Sequence, residues 1–194
     1  LATILGTIQS SLTNFRFVSA AWKKNCEEER LLGVSMTGIS DNHLTNGGSG
    51  KNTLGKRLEN LREIAITTNK EWAQKFGINQ SAAITCVKPS GTVSQLVDAA
   101  SGIHARHSEY YIRTIRADKK DPLATMMLKK GFPVEDDVMQ PDANYVFSFP
   151  VKAPKNAVFR NDMTAVEQLE LWLIYQRHWC EHKPSVTISV KEHE

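Results

Sequence analysis

The stretch Ile84-Thr85-Cys86-Val87-Lys88-Pro89-Ser90-Gly91-Thr92-Val93-Ser94-Gln95-Leu96 constrains this chain more than any other. Ile84 to Val87 are rich in β-branched residues, which suit a buried, pleated position. Pro89 has no N–H for a ladder and stops the strand. Gly91 admits backbone angles that a Cβ forbids. Ser90, Thr92 and Ser94 then surround a predicted helix start, from Thr92 to about Ala100, whose free N–H groups carry partial positive charge. A strand that delivers a Ser/Gly/Thr turn into a helix N-terminus suits a phosphate. An ordinary strand-to-helix turn capped by Ser or Thr has the same letters, so the local pattern alone leaves both readings open.

The rest of the chain narrows the setting. Its 194 residues suffice for one α/β domain or two small ones, with a real core. The net charge of +3 comes from interspersed signs, which gives no cause to expect a nucleic acid or anionic membrane partner. Cys26, Cys86 and Cys180 are an odd count without a secretory signal, which favours the reducing cytoplasm over a disulfide framework. No apolar run approaches the roughly 20 residues that span a bilayer. The chain opens on Leu1 in helical periodicity and ends just past a strand-like run, so the expectation is a piece cut from something longer at both ends.

Leu1, Ile4, Leu5, Ile8, Leu12, Phe15, Val18 and Trp22 predict one amphipathic helix to about residue 29. Residues 31–39 follow as a strand, then a loop over 40–52 with Gly47 to Gly50 at its tip. Gly50-Lys51 fails the nucleotide-binding G-x-x-x-x-G-K-[ST] pattern, which needs Gly at Thr45 and Ser or Thr at Asn52. Leu54, Leu58, Leu61, Ala65, Trp72 and Phe76 mark a second helix closed by Gly77. Strands are predicted over 109–116, 145–149 and 185–190, with an acidic loop over 135–144. Helices are predicted from Asp121-Pro122 to Gly131 and from the capping box at Thr164. The alternation predicts parallel strands linked by crossover helices, as an open sheet or a segment of an α/β barrel.

Other polar groups are weaker candidates. His178, Cys180 and His182 are ligand types that zinc accepts, but no fourth ligand is near in sequence, and no metal site is assigned. His104, Arg106 and His107 follow the phosphate turn and are candidates for contact with an anionic substrate or a cofactor; a solvated loop is the alternative. Arg113 and Arg116 suit salt bridges. No spacing forms a nucleophile–base pair or a carboxylate dyad.

Three longer segments carry a resemblance: Glu29-Arg30-Leu31-Leu32-Gly33-Val34-Ser35-Met36-Thr37-Gly38-Ile39, then Cys86 to Ser94, then His178 to Val190. In this order they resemble the adenosylcobalamin-dependent, class II ribonucleotide reductases, and the likeness runs from Leu1 to Glu194. It implies a fragment of the second half of that family's ten-stranded α/β barrel, a single partial catalytic domain over residues 1–194. Pro89, Ser90, Gly91, Thr92, Val93 and Ser94 would then be the loop that holds the substrate's phosphates, from a ribonucleoside di- or triphosphate. The resemblance further implies adenosylcobalamin as radical generator, a dithiol reductant such as thioredoxin, and the remainder of a reductase chain as partner. The family's N-x-C-x-E radical cysteine has no counterpart, since Asn25-Cys26-Glu27 lacks the spacing. Cys86 and Cys180 cannot be placed as the reducing pair. No catalytic residue is therefore expected here, and the chain alone should be inert. A reductase with another radical generator and a non-catalytic nucleotide-phosphate-binding module are the competing readings.

Overall fold

The structure is a computed structural model that describes residues 1–91 and 93–192. The helix predicted over residues 1–29 is in fact two, α1 (Ala2–Ser10) and α2 (Ala20–Glu29). Apolar spacing continues through the break, but hydroxyls intervene. Thr7 Oγ1 donates to the Thr3 carbonyl, Ser10 Oγ to that of Thr7 and Ser11 Oγ to that of Ile8, at 2.7–2.8 Å. Such side chains compete for backbone partners and favour a stop. Ser19 then caps α2 by accepting from the Trp22 amide. Leu12, Phe17 and Trp22 are left exposed as a result.

The described residues form two compact units, Leu1–Arg106 with Asn156–Glu194, and His107–Lys155. In the first, β1 (Val34–Ser35) pairs in parallel with β2 (Thr85–Cys86). The connection runs through α3 (Lys51–Phe76), which Gly77 ends in the left-handed conformation predicted for it. Strand 31–39 is thus much shorter than predicted, although Leu32 and Val34 donate to the Ala83 and Ile84 carbonyls at 2.9 Å. α5 (Ala165–His178) starts at the predicted capping box, with Thr164 and Glu167 bonded reciprocally.

Leu54 and Leu58 of α3 pack with Leu171 and Tyr175 of α5, and Ile39, Val87, Ile103 and Trp179 complete this core. Gly55 allows the helices to close, because a Cβ there would stand 3.2 Å from His178 Nε2. Asn69, buried in α3, donates to Thr7 Oγ1 at 3.0 Å and Ser81 Oγ at 2.9 Å and accepts from the Ser81 amide at 2.9 Å. The strand predicted over 185–190 is absent among the described residues. The Gln168 side chain supplies the partners instead, accepting from the Ser189 amide and donating to its carbonyl.

In the second unit β3 (Tyr110–Asp118), β5 (Asn144–Lys152) and β4 (Val134–Asp136) form an antiparallel sheet in the order β3-β5-β4. The acidic loop predicted over 135–144 therefore contains most of a strand. α4 (Pro122–Lys129) is capped by Asp121, which accepts from the Leu123 amide at 2.8 Å. Parallel pairing is confined, among the described residues, to β1–β2 and one bridge from Arg106 to Phe159. Connection length accounts for the antiparallel β4–β5 pair. Parallel neighbours need a crossover of a dozen or more residues, and the segment from β4 to β5 is shorter.

Candidate functional site

β2 is held on both edges. β1 takes one, and the chain just after α5 takes the other in place of a strand. Glu181 donates its amide to the Thr85 carbonyl at 3.0 Å, while its Oε2 accepts from the amides of Ile84 and of Thr85, the latter at 2.8 Å. Thr85 Oγ1 donates to the Trp179 carbonyl at 2.6 Å, and Trp179 Nε1 donates to the Cys86 carbonyl at 2.7 Å. Burial pushes the Glu181 carboxyl up, but the two amides and the nearby Arg62 outweigh it and hold the group below its usual range. Two of the segments that carry the family resemblance therefore lie against each other. Sequence reasoning missed Trp179 and Glu181 because their partners, Cys86 and Thr85, lie 93 and 96 positions away, whereas His178, Cys180 and His182 beside them carry a local ligand-like pattern.

The loops at the carboxyl ends of β1 and β2 meet, which is where ligands sit in α/β sheets. Lys88 donates its amide to Ser35 Oγ at 3.0 Å. Ser90 closes a turn by accepting from the Val93 amide at 3.0 Å, and Gly91 sits inside it at φ 56°. Ser90 donates its amide to Ser101 Oγ at 2.9 Å, and its own Oγ lies 3.1 Å from Ser101 Oγ and 3.2 Å from Thr37 Oγ1. Three hydroxyls from three segments thus converge on one turn.

The predicted helix from Thr92 to about Ala100 is a five-residue 3-10 helix, Val93–Val97. Asp98, at φ 49°, turns the chain out of it. So short an element has little macrodipole, and an anion here would depend on the turn's own amides and hydroxyls. The Gly91 amide has no hydrogen-bond partner among the described residues. Ser94 is buried, and its Oγ likewise has no partner among them. A buried hydroxyl left so costs about 1–3 kcal/mol and calls for a water or ligand. Pro89 and Val93 are exposed at the turn, and Thr92 lies outside the described residues.

The loop after the turn is built on ions. Arg106 is buried, with its Nε 2.8 Å from Asp41 Oδ1 and a terminal nitrogen 3.1 Å from Oδ2, a bidentate pair. It also donates to Asp98 Oδ1 at 3.0 Å and to the Asp98 carbonyl. His104 bonds the Ser101 carbonyl at 2.9 Å and Thr187 Oγ1 at 3.2 Å. His107 belongs to the second unit, its ring edge-on to Tyr111. Of these three, His104 and Arg106 are thus joined to the loop that carries Ser101.

The three cysteines are unbridged. Burial pushes the Cys86 thiol up, and that of Cys180 up to about 12. Both are packing groups rather than thiolates at neutral pH. His178 bonds Glu59 at 2.8 Å, and among the described residues no metal-binding group of three is found. Nor is any helix among them long and apolar enough to cross a membrane.

No family model matches the chain. It is similar to the adenosylcobalamin-dependent ribonucleoside-triphosphate reductase of Euglena gracilis, 33% identical over 171 residues, covering 87% of this chain and 23% of that protein. The Lactobacillus gasseri enzyme of the same name is 28% identical over 89% of this chain and 26% of its own length. A probable one from Dictyostelium discoideum is 32% identical over 82% of this chain and 21% of its own length. The fold matches a crystal structure of a B-12-dependent (class II) ribonucleotide reductase with a TM-score of 0.79 and 23% identity, over 97% of this chain and 30% of that one. At that identity the match speaks for the α/β fold alone. The chain spans about a quarter of the length of the curated relatives it matches. The chain is thus a relative of the adenosylcobalamin-dependent ribonucleotide reductases, matching one part of them.

Proposed function

We propose that this chain supplies the substrate-phosphate seat of an adenosylcobalamin-dependent ribonucleotide reductase, with a ribonucleoside triphosphate as substrate. The observation that carries the reading is the turn at Ser90, at the carboxyl ends of two parallel strands, where the Gly91 amide and the buried Ser94 hydroxyl have no partner among the described residues. Charge-assisted bonds from such donors to phosphate are worth about 1.5–3 kcal/mol each. Held at its phosphates, the ribose would be fixed relative to a radical centre supplied by other residues. Positioning of this kind is worth roughly 7–11 kcal/mol in favourable cases.

We further read residues 1–194 as part of one catalytic α/β barrel domain of ten strands. The similarity to relatives over most of the chain supports that. The triphosphate and the cofactor rest on the relatives' names. Adenosylcobalamin would supply the radical, but the turn is a poor fit for it. It offers amides and hydroxyls and no broad apolar wall for a corrin, so the role of these residues is confined to the nucleotide. A dithiol protein such as thioredoxin would serve as reductant, and the three unbridged cysteines agree with a cytoplasmic setting.

The test uses a full-length reductase carrying these residues, incubated with CTP, dithiothreitol and adenosylcobalamin, with dCTP read by chromatography. Product that requires the cobalamin supports the reading. Product that instead requires a metal-containing radical subunit overturns the cofactor. No product in either case leaves a non-catalytic nucleotide-binding module as the better account.

A further inference from the structure

We propose that Ser101 is a positioning residue for the phosphate turn, a role that rests on the phosphate reading of Ser90 to Ser94. Ser101 lies eleven residues beyond Ser90 and outside the turn. Its Oγ accepts from the Ser90 amide at 2.9 Å and lies 3.1 Å from the Ser90 hydroxyl. One oxygen thereby fixes both the backbone and the side chain of the residue that opens the turn. With the Ser90 amide directed inward to Ser101 and the Val93 amide held by the Ser90 carbonyl, the Gly91 amide is, among the described residues of the turn between them, a donor without a partner. Without the Ser101 oxygen, the Ser90 amide would lose its partner, and among the described residues Ser90 would be held from outside the turn by the Thr37 contact to its hydroxyl alone.

The surroundings hold Ser101 in place. Gly102 has φ 55°, and a Cβ on it would come within 2.9 Å of the Lys88 carbonyl oxygen, so the two backbones touch beside Ser101. Thr37 accepts from the Gly102 amide at 3.0 Å and donates to the Ala100 carbonyl at 2.8 Å, bracketing Ser101 from both sides. Asp41 accepts from the Ala100 amide at 2.7 Å and pairs with buried Arg106, which binds Asp98. An ionic frame of this kind is rigid because breaking one partner strands a buried charge. Among the described residues, the hydroxyls that the loops bring to Ser90 are those of Ser101 and Thr37. Of these two, Ser101 is the one bonded to the Ser90 amide.

The test is calorimetric titration of the 194-residue chain with CTP, for wild type, Ser101→Ala and Ser101→Thr, with a thermal melt of each. The expected result is about tenfold weaker binding in Ser101→Ala with a melting temperature close to wild type. Ser101→Thr, which keeps the oxygen, should recover most of the affinity. Equal affinity in Ser101→Ala and wild type would overturn the positioning role and leave the phosphate seat intact. An early melt in Ser101→Ala without recovery in Ser101→Thr would assign Ser101 to stability alone and also overturn it. Absence of binding in wild type would remove the phosphate seat itself, and the role of Ser101 with it.

Discussion

Gly91 and Glu181 bear on the account at the scale of single residues, and each makes a separable prediction. Gly91 has φ 56° with open space where a Cβ would stand, so a side chain there is opposed by backbone strain and not by crowding. A β-branched residue in that region is strained by about 1–2 kcal/mol, whereas Asn visits it readily. Gly91→Val should therefore weaken CTP binding roughly five- to thirtyfold and Gly91→Asn much less, by calorimetric Kd. Equal losses would mean that the side-chain-free surface matters rather than the angle. Glu181 titrates below its usual range when folded, so its contribution is complete above the ordinary Glu value of 4.5 and is lost as pH falls through the lower folded value. Glu181→Gln should destabilise the chain by about 1–2 kcal/mol at pH 7, with the gap to wild type closing in acid. Urea midpoints at pH 7 and pH 3.5 check this, and a constant gap would show that the charge is irrelevant. The residues of the turn were legible because Pro89, Ser90, Gly91 and Ser94 act on their immediate neighbours. Ser101, Trp179 and Glu181 act across 11 to 97 positions of sequence, where no local spacing betrays them.

At the scale of elements, local chemistry set the ends of helices well and their middles poorly. The caps at Asp121 and Thr164 and the stop at Gly77 follow from residues within one turn of each boundary. The break between α1 and α2 was hidden because apolar periodicity runs through it, and the hydroxyls of Ser10 and Ser11 were the overlooked cue. Strand pairing was least legible, since the choice between parallel and antiparallel depends on which strands meet. Two predictions belong here. Gly102→Ala would set a Cβ 2.9 Å from the Lys88 carbonyl oxygen at a positive φ, so the loop must move. A fall of several degrees in melting temperature, with CTP binding weakened in parallel, is expected. Asn69→Ala would leave Ser81 and Thr7 without their buried partner and cost about 1–3 kcal/mol in urea unfolding without altering the Ser90 turn. A change within 0.3 kcal/mol would mean that water replaces the amide, on the order of experimental error.

For the whole molecule, the described residues join a frame to the turn proposed as a phosphate seat. β1 and β2 bring two loops together, the segment after α5 secures β2, and the Asp41–Arg106–Asp98 ions fix the loop beneath the turn. Cys86 and Cys180 are buried and protonated, and Cys26 lacks the N-x-C-x-E setting. The 194-residue chain should therefore bind CTP yet form no dCTP with adenosylcobalamin and dithiothreitol. The most direct test of the central claim is a titration of the ¹⁵N-labelled chain with CTP, followed by amide NMR. Saturable shifts centred on Ser90, Gly91, Val93 and Ser94, reproduced by inorganic triphosphate, are expected. Saturable shifts elsewhere with that turn unmoved, or none at millimolar CTP, would contradict that claim.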